Sequence, residues 1–309
     1  MLDQIQMNLL REVAELDALP VGAYNIRANG AAEARNTTAN IDIVTKPDKD
    51  GIDVIIKNGT KRESVHIPVV LSEANLQESV YNDFFIGDDC DVTIIAGCGI
   101  HNCGAGDMMH DGIHSFYVGK NSKVRYIEKH YGETDGQDGR GKRIMNPTTY
   151  VEVGEGSSVT METTQIGGVD DTIRKSKAVL EAGANLVIKD KIMTTGVQRA
   201  IADFVVDMNG EGCSCSLSSR SVAKGNSYQQ FDSCMNGNAP CAGHSECDAI
   251  IMDDAHIQAT PQLTATNIDA ALIHEAAIGK IAGEQIIKLM TLRLSEQEAE
   301  EQIVNGFLK

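Results

Sequence analysis

The chain has 309 residues, a formal net charge of −17 and eight cysteines, and it lacks tryptophan. Its negative charge, with no dense run of Lys and Arg to offset it, disfavours nucleic acid and anionic membranes as partners. No apolar run reaches the roughly 20 residues of a membrane helix, and the N-terminus lacks the order of a signal peptide, so we expect a cytoplasmic protein with reduced thiols.

The N-terminal segment, residues 1–40, begins with apolar residues at helical spacing. This spacing runs to about residue 19, just before Pro20, and predicts a short amphipathic helix. From Ile41 the apolar residues alternate with polar ones instead. Residues 41–44 and 52–56 flank a turn that contains proline and glycine, which predicts a β-hairpin. The chain therefore enters β structure near residue 41.

A loose repeat occupies the middle of the chain. Residues 87–94, 119–126 and 154–161 each begin with a glycine turn and small polar residues and lead into a short alternating strand; residues 182–188 show a weaker version. Such a unit cannot bury its own apolar face, so we predict a stacked β-helix or solenoid over residues 41–270. A sandwich or a barrel would also give many short strands and remains an alternative.

The last segment, residues 271–309, returns to helical spacing. Two helices are predicted, the second beginning at a capping-box pattern in residues 295–298. This helical hairpin either caps the solenoid or docks a partner. The apolar residues that would contact a partner are Ile286, Leu289, Met290 and Ile303.

The chain offers no convincing phosphate-binding motif. The closest match to a P-loop, residues 136–143, lacks the Ser or Thr that binds magnesium, and no helix pattern follows it. We therefore expect any ATP dependence to come from a partner protein.

The densest group of soft ligands contains Cys98, His101 and Cys103, with His110 and His114 downstream. Thiolates and imidazoles a few residues apart can converge on one metal ion. Their spacing matches no zinc ribbon or finger, however. The alternative interpretation is that the cysteines are buried thiols in stacked strands and the histidines are turn or surface residues.

A second group of candidate ligands lies near the C-terminus. Cys247 stands between Glu246 and Asp248, whose charges would raise its pKa and make it a poor resting nucleophile. His274 and Glu275 precede the helical hairpin, where an ion pair or a turn cap is the simpler role. A thiolate, an imidazole and a carboxylate together are nevertheless ligands that iron–sulfur chemistry can use, which favours a scaffold over an enzyme.

The same region resembles the SufB/SufD family of iron–sulfur cluster assembly scaffolds. The similarity is carried by residues 219–223, 246–254, 261, 274–276, 279–281 and 285–307. It implies a right-handed parallel β-helix, dimerisation through that β-helix, and docking of the ABC-type ATPase SufC on the C-terminal helices. It also implies that Cys247 and Glu275, with His274 beside them, take part in building a transient cluster, which we expect to be 4Fe-4S.

The presence of both Cys247 and Glu275 makes the chain look closer to SufB than to SufD. It is shorter than the usual SufB and looks like a compact form, in which two identical copies work with one kind of SufC-like ATPase. We expect sulfur to come from a cysteine desulfurase and the product to pass to apo iron–sulfur proteins, with no catalytic residue in this chain. The alternatives are a SufD-like structural adaptor and a carbohydrate-active β-helix enzyme; an aromatic content of 4% argues against a sugar groove.

Overall fold

The computed structural model describes residues 2–134 and 141–309, and these form a parallel β-solenoid of about eight turns with helices near both termini. The predicted mainly β class is therefore confirmed, and the sandwich and barrel alternatives are not. The candidate P-loop at residues 136–143 lies mostly outside the described residues.

Two long sheets, called sheet A and sheet B here, form the walls of the solenoid. Sheet A contains, in spatial order, β2 (Ala31–Asn36), β1 (Ala23–Ala28), β5 (Lys61–Leu71), β7 (Asp91–His101), β9 (Lys123–Glu133), β12 (Ser158–Gly167), β14 (Asn185–Thr194), β16 (Cys213–Ala223), β18 (Cys241–Ile251) and β20 (Ala270–Gly279). Sheet B contains β19 (His256–Ala265), β17 (Tyr228–Gly237), β15 (Arg199–Met208), β13 (Asp171–Leu180), then β10 (Arg143–Met145) and β11 (Thr148–Val153) at one position, β8 (Met108–Val118), β6 (Gln77–Ile86), β4 (Gly51–Ile56) and β3 (Ile41–Thr45).

Each repeat seen in the sequence leads into a strand of sheet A. The four repeats precede β7, β9, β12 and β14. The turn before each of these strands needs one residue with positive φ, and Asp89, Asn121, Gly156 and Gly183 supply it at φ values of 54°, 54°, 67° and 63°. Asp, Asn and Gly tolerate this conformation best, which explains why small polar residues and glycines mark the repeat.

The sheets extend past both expected limits of the β core. Strands β1 and β2 form an antiparallel pair before residue 41, and β20 continues to Gly279. The predicted hairpin at residues 41–56 is confirmed, because β3 and β4 pair antiparallel. The remaining strand pairs of the described chain are parallel, and alternate side chains point into one interior that runs along the solenoid.

Helix α1 (Gln4–Ala14) ends before the expected limit near residue 19, and it begins with a capping box in which Asp3 accepts a hydrogen bond from the Gln6 amide. It packs on the outside of sheet A through Leu9 and Val13. Gly97 permits this contact, since a Cβ there would lie 2.7 Å from the Val13 carbonyl oxygen. The helix therefore covers part of sheet A rather than extending it.

The predicted C-terminal hairpin is confirmed as α2 (Gly283–Met290) and α3 (Glu296–Phe307), with the Ser295–Glu298 capping box in place. Val304 of helix α3 and Leu308, which follows the helix, pack against Val222 near the end of β16. None of the three helices in the described part of the chain has the length and apolar character of a membrane span.

Candidate functional site at the C-terminal end of the solenoid

Cys247 lies on β18 with its side chain in the interior. Every second residue of this strand from 241 to 249 is buried, as expected for a strand with one face on a core, and Cys247 is 1% exposed. Burial raises the pKa of the Cys247 thiol to about 11, and the charges of Asp248 and Asp190 add to the rise. The resting cysteine is therefore a neutral thiol.

His274 shares the interior face with Cys247. It lies on β20 opposite Ser245, whereas Cys247 lies opposite Ala276, so the two side chains are offset by two residues, about 7 Å along the strand. The His274 side chain is half-buried, and its Nδ1 atom is buried without a hydrogen-bond partner among residues 2–134 and 141–309. A buried nitrogen of this kind is available to a ligand.

Glu275 points away from Cys247, because adjacent residues of a strand project to opposite faces. It lies opposite Glu246 on the outer face of sheet A, and its Oε2 atom is 3.9 Å from His244 Nε2. The Glu275 side chain is 70% exposed. A single chain therefore brings Cys247 and His274 to one face and Glu275 to the other.

The two faces of the terminal strands differ in chemistry. The inner face offers a soft thiol and an imidazole nitrogen, and the outer face offers two carboxylates and the imidazole of His244. Thiolates suit sulfur-rich iron sites, and carboxylates and imidazoles also bind Fe(II). The pair β18–β20 thus holds both kinds of ligand, separated by the thickness of one sheet.

The other predicted ligand group is divided by the structure. Cys98 is 2% exposed and packs in the interior with Val69 and Ile100. His101, at the end of β7, has its Nδ1 atom 3.1 Å from Glu133 Oε1 and its Nε2 atom 2.5 Å from the sulfur of Cys103, which is exposed. Among residues 2–134 and 141–309, no three His, Cys, Asp or Glu side chains are gathered as a metal site.

A charged cluster that the sequence analysis did not identify lies in the interior. Its five members are Glu128, His130, His114, Arg174 and Asp190, each less than one-tenth exposed. Arg174 lies 3.5 Å from Glu128 and 3.7 Å from Asp190, and Glu128 lies 3.3 Å from His130. Burial alone would raise the pKa of Glu128, but the charges of His130 and Arg174 outweigh it and hold that pKa well below 4.5.

The strand alternation could have revealed part of this cluster. Val124 and Tyr126 of β9 are apolar interior residues. Glu128 and His130 follow at the same two-residue spacing and therefore lie on the same face. Extending this alternation through the polar end of β9 predicts that Glu128 and His130 both lie in the interior.

The expected partner-binding residues are only partly exposed. Ile286, Leu289 and Ile303 are half-buried, and Met290 is 42% exposed. The neighbouring Ile287 and Leu292, which were not predicted, are 63% and 70% exposed. The C-terminal hairpin therefore carries an apolar surface that the solenoid does not cover.

A large groove lies elsewhere, on the outside of sheet B. Its volume is about 780 Å³, and its lining includes Phe85, Tyr117, Glu152 and Glu181. The rings of Phe85 and Tyr117 stack with centroids 5.3 Å apart. This groove and Cys247 belong to different sheets, and groove size alone does not identify a site when the candidate ligands lie elsewhere.

The sequence of this chain is similar to that of known proteins over most of its length. The model of the SufBD core domain of the SUF system for FeS cluster assembly matches residues 80–307. This chain belongs to the SufBD family. The matched region contains Cys247, His274 and Glu275 and runs through the C-terminal hairpin, so the family predicted from the sequence is confirmed.

Individual SufBD proteins agree with the family match. An iron–sulfur cluster assembly SufBD family protein of Methanocaldococcus jannaschii is 29% identical over 265 residues, which cover 82% of this chain and 79% of the relative. One from Archaeoglobus fulgidus is 30% identical over 240 residues, 75% of this chain and 61% of the relative. The SufB protein of Bacillus subtilis is 42% identical over 65 residues, 21% of this chain and 14% of that protein.

Proposed function

We propose that this SufBD family protein is the scaffold on which a nascent iron–sulfur cluster is built, with Cys247, His274 and Glu275 as its ligands. The observation that carries the proposal is the placement of Cys247 and the unpartnered His274 nitrogen on one face of the last two strands of sheet A. The carboxylates of Glu246 and Glu275 lie across the same strand pair. Iron and sulfide are the substrates of this assembly.

Metal binding would change the protonation state of Cys247. With a pKa of about 11 the free thiol is protonated at neutral pH, so it does not attract iron as an anion. A thiol that coordinates a metal loses its proton outright, because the ion compensates for the thiolate charge that burial disfavours. Cluster formation should therefore release a proton from Cys247 and depend on pH.

The position of β20 provides a way to bring the divided ligands together. Within the described part of the chain, this strand is the last of sheet A and pairs with β18 alone. Three residues, 280–282, connect its end to α2. A force on the C-terminal hairpin would therefore act directly on the strand that carries His274 and Glu275.

An ABC-type ATPase partner of the SufC kind would apply that force through α2. The exposed residues Ile287, Met290 and Leu292 give the hairpin an apolar docking surface. ATP binding by the partner can shift β20 only if the partner binds two arrangements of the hairpin with different affinity. ATP hydrolysis then belongs to the partner, and this chain acts as an assembly component.

A second copy of this chain would complete the site. The last turns of the solenoid expose Leu263, Ile268, Ile273 and Ile278 by 40%, 98%, 56% and 41%. Apolar side chains concentrated at one end of a protein mark an association surface. A homodimer joined there would place two sets of Cys247, His274 and Glu275 close to one interface.

Anaerobic co-expression with the ATPase partner tests the proposal. Iron and sulfide are quantified, and absorption spectra recorded, for the wild type, Cys247→Ser and the matched control Cys215→Ser, which alters another buried interior cysteine. We expect bound iron and sulfide in the wild type and in Cys215→Ser, and their loss in Cys247→Ser. Equal cluster content in Cys247→Ser and the wild type would overturn the assignment.

A structural adaptor is the second candidate function. The burial of Cys247 and its separation from Glu275 favour it, since neither group of a single chain is arranged to hold a cluster with the other. An adaptor would form a stable complex with the ATPase but contain no iron or sulfide in any variant. The same experiment therefore distinguishes the two functions.

A further inference from the structure

Two interior cysteines face each other across neighbouring strands, near the start of the strand that carries Cys247. Cys213 begins β16, Cys241 begins β18, and the two are direct partners in the parallel register. They are 1% and 7% exposed and belong to the same hydrophobic core cluster. We call Cys213 and Cys241 the thiol pair.

The spacing of the thiol pair suits a covalent bond. Neighbouring strands lie about 4.8 Å apart, which falls within the range of roughly 4.4 to 6.8 Å between the Cα atoms of disulfide-bonded cysteines. In-register parallel partners project their side chains side by side, so such a bond forms away from its ideal geometry. A disulfide of that kind is more easily reduced than a relaxed structural one.

The surroundings of the thiol pair contain further sulfur atoms. Cys215 lies two residues along β16 on the same face and is opposite Gly243, so it has no cysteine across from it. A Cβ at Gly243 would lie 3.2 Å from the sulfur atoms of both Met208 and Met235. The interior here is apolar and polarisable, which suits neutral sulfur species better than ions.

We propose that Cys213 and Cys241 form a redox-active dithiol that reduces sulfane sulfur, delivered as a persulfide on a carrier thiol, to sulfide. This rests on the proposed function in one respect, because cluster assembly consumes the sulfide. The outer sulfur of a persulfide is more oxidised than sulfide by two electrons. The cluster needs sulfide, so this sulfur must first be reduced. The thiol pair holds those two electrons within the same chain as Cys247.

The reaction balances in two steps. Cys241, the more exposed of the two, attacks the outer sulfur of the carrier persulfide; the S–S bond of the carrier breaks, the carrier leaves as a thiol, and Cys241 becomes a persulfide. Cys213 then attacks the inner sulfur of that group, hydrosulfide leaves, and the Cys213–Cys241 disulfide forms. In sum, one persulfide and two thiols give one thiol, one hydrogen sulfide and one disulfide. An external dithiol must reduce the disulfide before the next turnover.

The test uses the full chain, reduced and then mixed anaerobically with glutathione persulfide or with the thiol oxidant diamide. Remaining thiols are alkylated in denaturant and counted by mass, the disulfide is located by peptide mapping, and released sulfide is measured. The variants are Cys213→Ala and Cys241→Ala, with Cys215→Ala as the matched control. Circular dichroism confirms that each variant folds.

We expect the wild type and Cys215→Ala to lose two thiols, to yield a peptide linking residues 213 and 241, and to release about one sulfide per chain. Cys241→Ala should retain its remaining thiols, Cys213→Ala should stop at the Cys241 persulfide of the first step, and both should release at least tenfold less sulfide than the wild type in the same time. Retention of all eight thiols by the wild type, or equal sulfide release by Cys213→Ala, would overturn the proposal.

A second arm separates this proposal from the proposed function. Cluster assembly is measured on Cys213→Ala with sulfur supplied either as persulfide or as inorganic sulfide. The dithiol role predicts loss with persulfide and normal assembly with sulfide, and it predicts that Cys247→Ser still reduces persulfide. If the wild type assembles no cluster from either source, the scaffold function fails while the thiol result stands. Loss of assembly by Cys213→Ala with both sources would contradict the dithiol role.

Discussion

One interior row of sheet A changes its chemistry along the solenoid. In β9, β12 and β14 the row contains Glu128, Thr163 and Asp190, and in β16 and β18 it continues with Ser219 and Cys247. The first part belongs to the charged cluster around Arg174. The second part belongs to a region of thiols and thioethers. Equivalent positions of one repeated backbone thus hold two carboxylates and a threonine in one region, and a serine and a cysteine in the other.

The difference shows how a solenoid can separate stability from reactivity. Buried ions are costly unless they are paired, so the charged cluster is constrained to one arrangement, and removing a member penalises the rest. Neutral thiols cost little free energy to bury and need no charged partner. They can therefore lose a proton to a base, accept a sulfur atom or bind a metal without breaking an ion pair. The predictions below test this contrast from the largest expected effect to the smallest.

Replacing Arg174 should have the largest effect on folding stability. Arg174→Met removes the cation that faces Glu128 and Asp190 and leaves two carboxylates buried without it. We expect a loss of about 3 to 5 kcal/mol in the free energy of unfolding, measured by urea denaturation.

The triple variant Glu128→Gln, Arg174→Met, Asp190→Asn shows whether charge is the cause. With no ion left in excess, it should recover most of the lost stability. A triple variant as unstable as Arg174→Met would mean that the shape of the arginine side chain, rather than its charge, stabilises the cluster.

The charged cluster should also give stability a pH dependence through His114. Burial lowers the pKa of His114 to about 4, although the charge of Glu128 opposes the shift, and His110, His130 and Asp83 also act on it. Between pH 6.5 and 4 the unfolded chain binds a proton that the folded chain does not, so stability falls as the pH drops through this window. We expect a loss of about 3 kcal/mol across it.

The variant His114→Gln should remove that part of the slope of unfolding free energy against pH. His256→Gln is the control, because His256 is exposed and stacks on Tyr228 outside the cluster. A slope that survives in His114→Gln would assign the pH dependence to another group.

A change in the sulfur region should cost much less. Cys215→Ala deletes one buried atom that takes part in no ion pair, so we expect a loss of about 1 kcal/mol, close to the scale of other single-group deletions in cores. The comparison with Arg174→Met is made under the same denaturant conditions. A loss as large as that of Arg174→Met would contradict the contrast between the two regions.

The smallest effect is expected for an ion pair on the outer face of the same strands. Arg125 of β9 lies 2.6 Å from Glu162 of β12, and the arginine side chain is 55% exposed. Arg125→Ala should change the unfolding free energy by no more than about 1 kcal/mol, because solvent and salt screen this pair. Added salt should shrink the effect further, whereas the Arg174 effect should persist.

The fold could be predicted because its determinants are local. Alternation in residues 41–44 and 52–56 identified the hairpin, and the positive-φ turns at Asn121 and Gly156 identified the repeat. The first 40 residues were harder to interpret: β2 consists of alanine, charged and polar residues, all of them exposed except Ala34, so its alternation carries no apolar signal. Pairing with β1 forms that strand, and such a tertiary contact is not visible in a local pattern.

The candidate site could be proposed as residue types but not as an arrangement. Cys247, His274 and Glu275 could be selected for their chemistry and their resemblance to the family. Whether they share a face depends on the register of β18 against β20, which places Cys247 opposite Ala276 and sends Glu275 outward. A shift of one residue would exchange the two faces, and the sequence between the strands does not specify that register.

The edges of the two sheets have a consequence for aggregation. In the part of the chain that the structure describes, the edge strands are β2, β3, β19 and β20. Strands β2 and β3 have 6 and 5 residues and carry charges, while β19 contains Pro261, which lacks an amide hydrogen. All three resist the addition of another strand.

Strand β20 has 10 residues without proline and retains an open edge. A repetitive β protein with two such edges could add copies at both ends and grow into a fibre. In the proposed homodimer, addition through β20 would stop once two copies had joined there, because the outer edges of that pair are the short, charged strands β2 and β3. Deleting these two strands should therefore convert a closed assembly into an open-ended polymer.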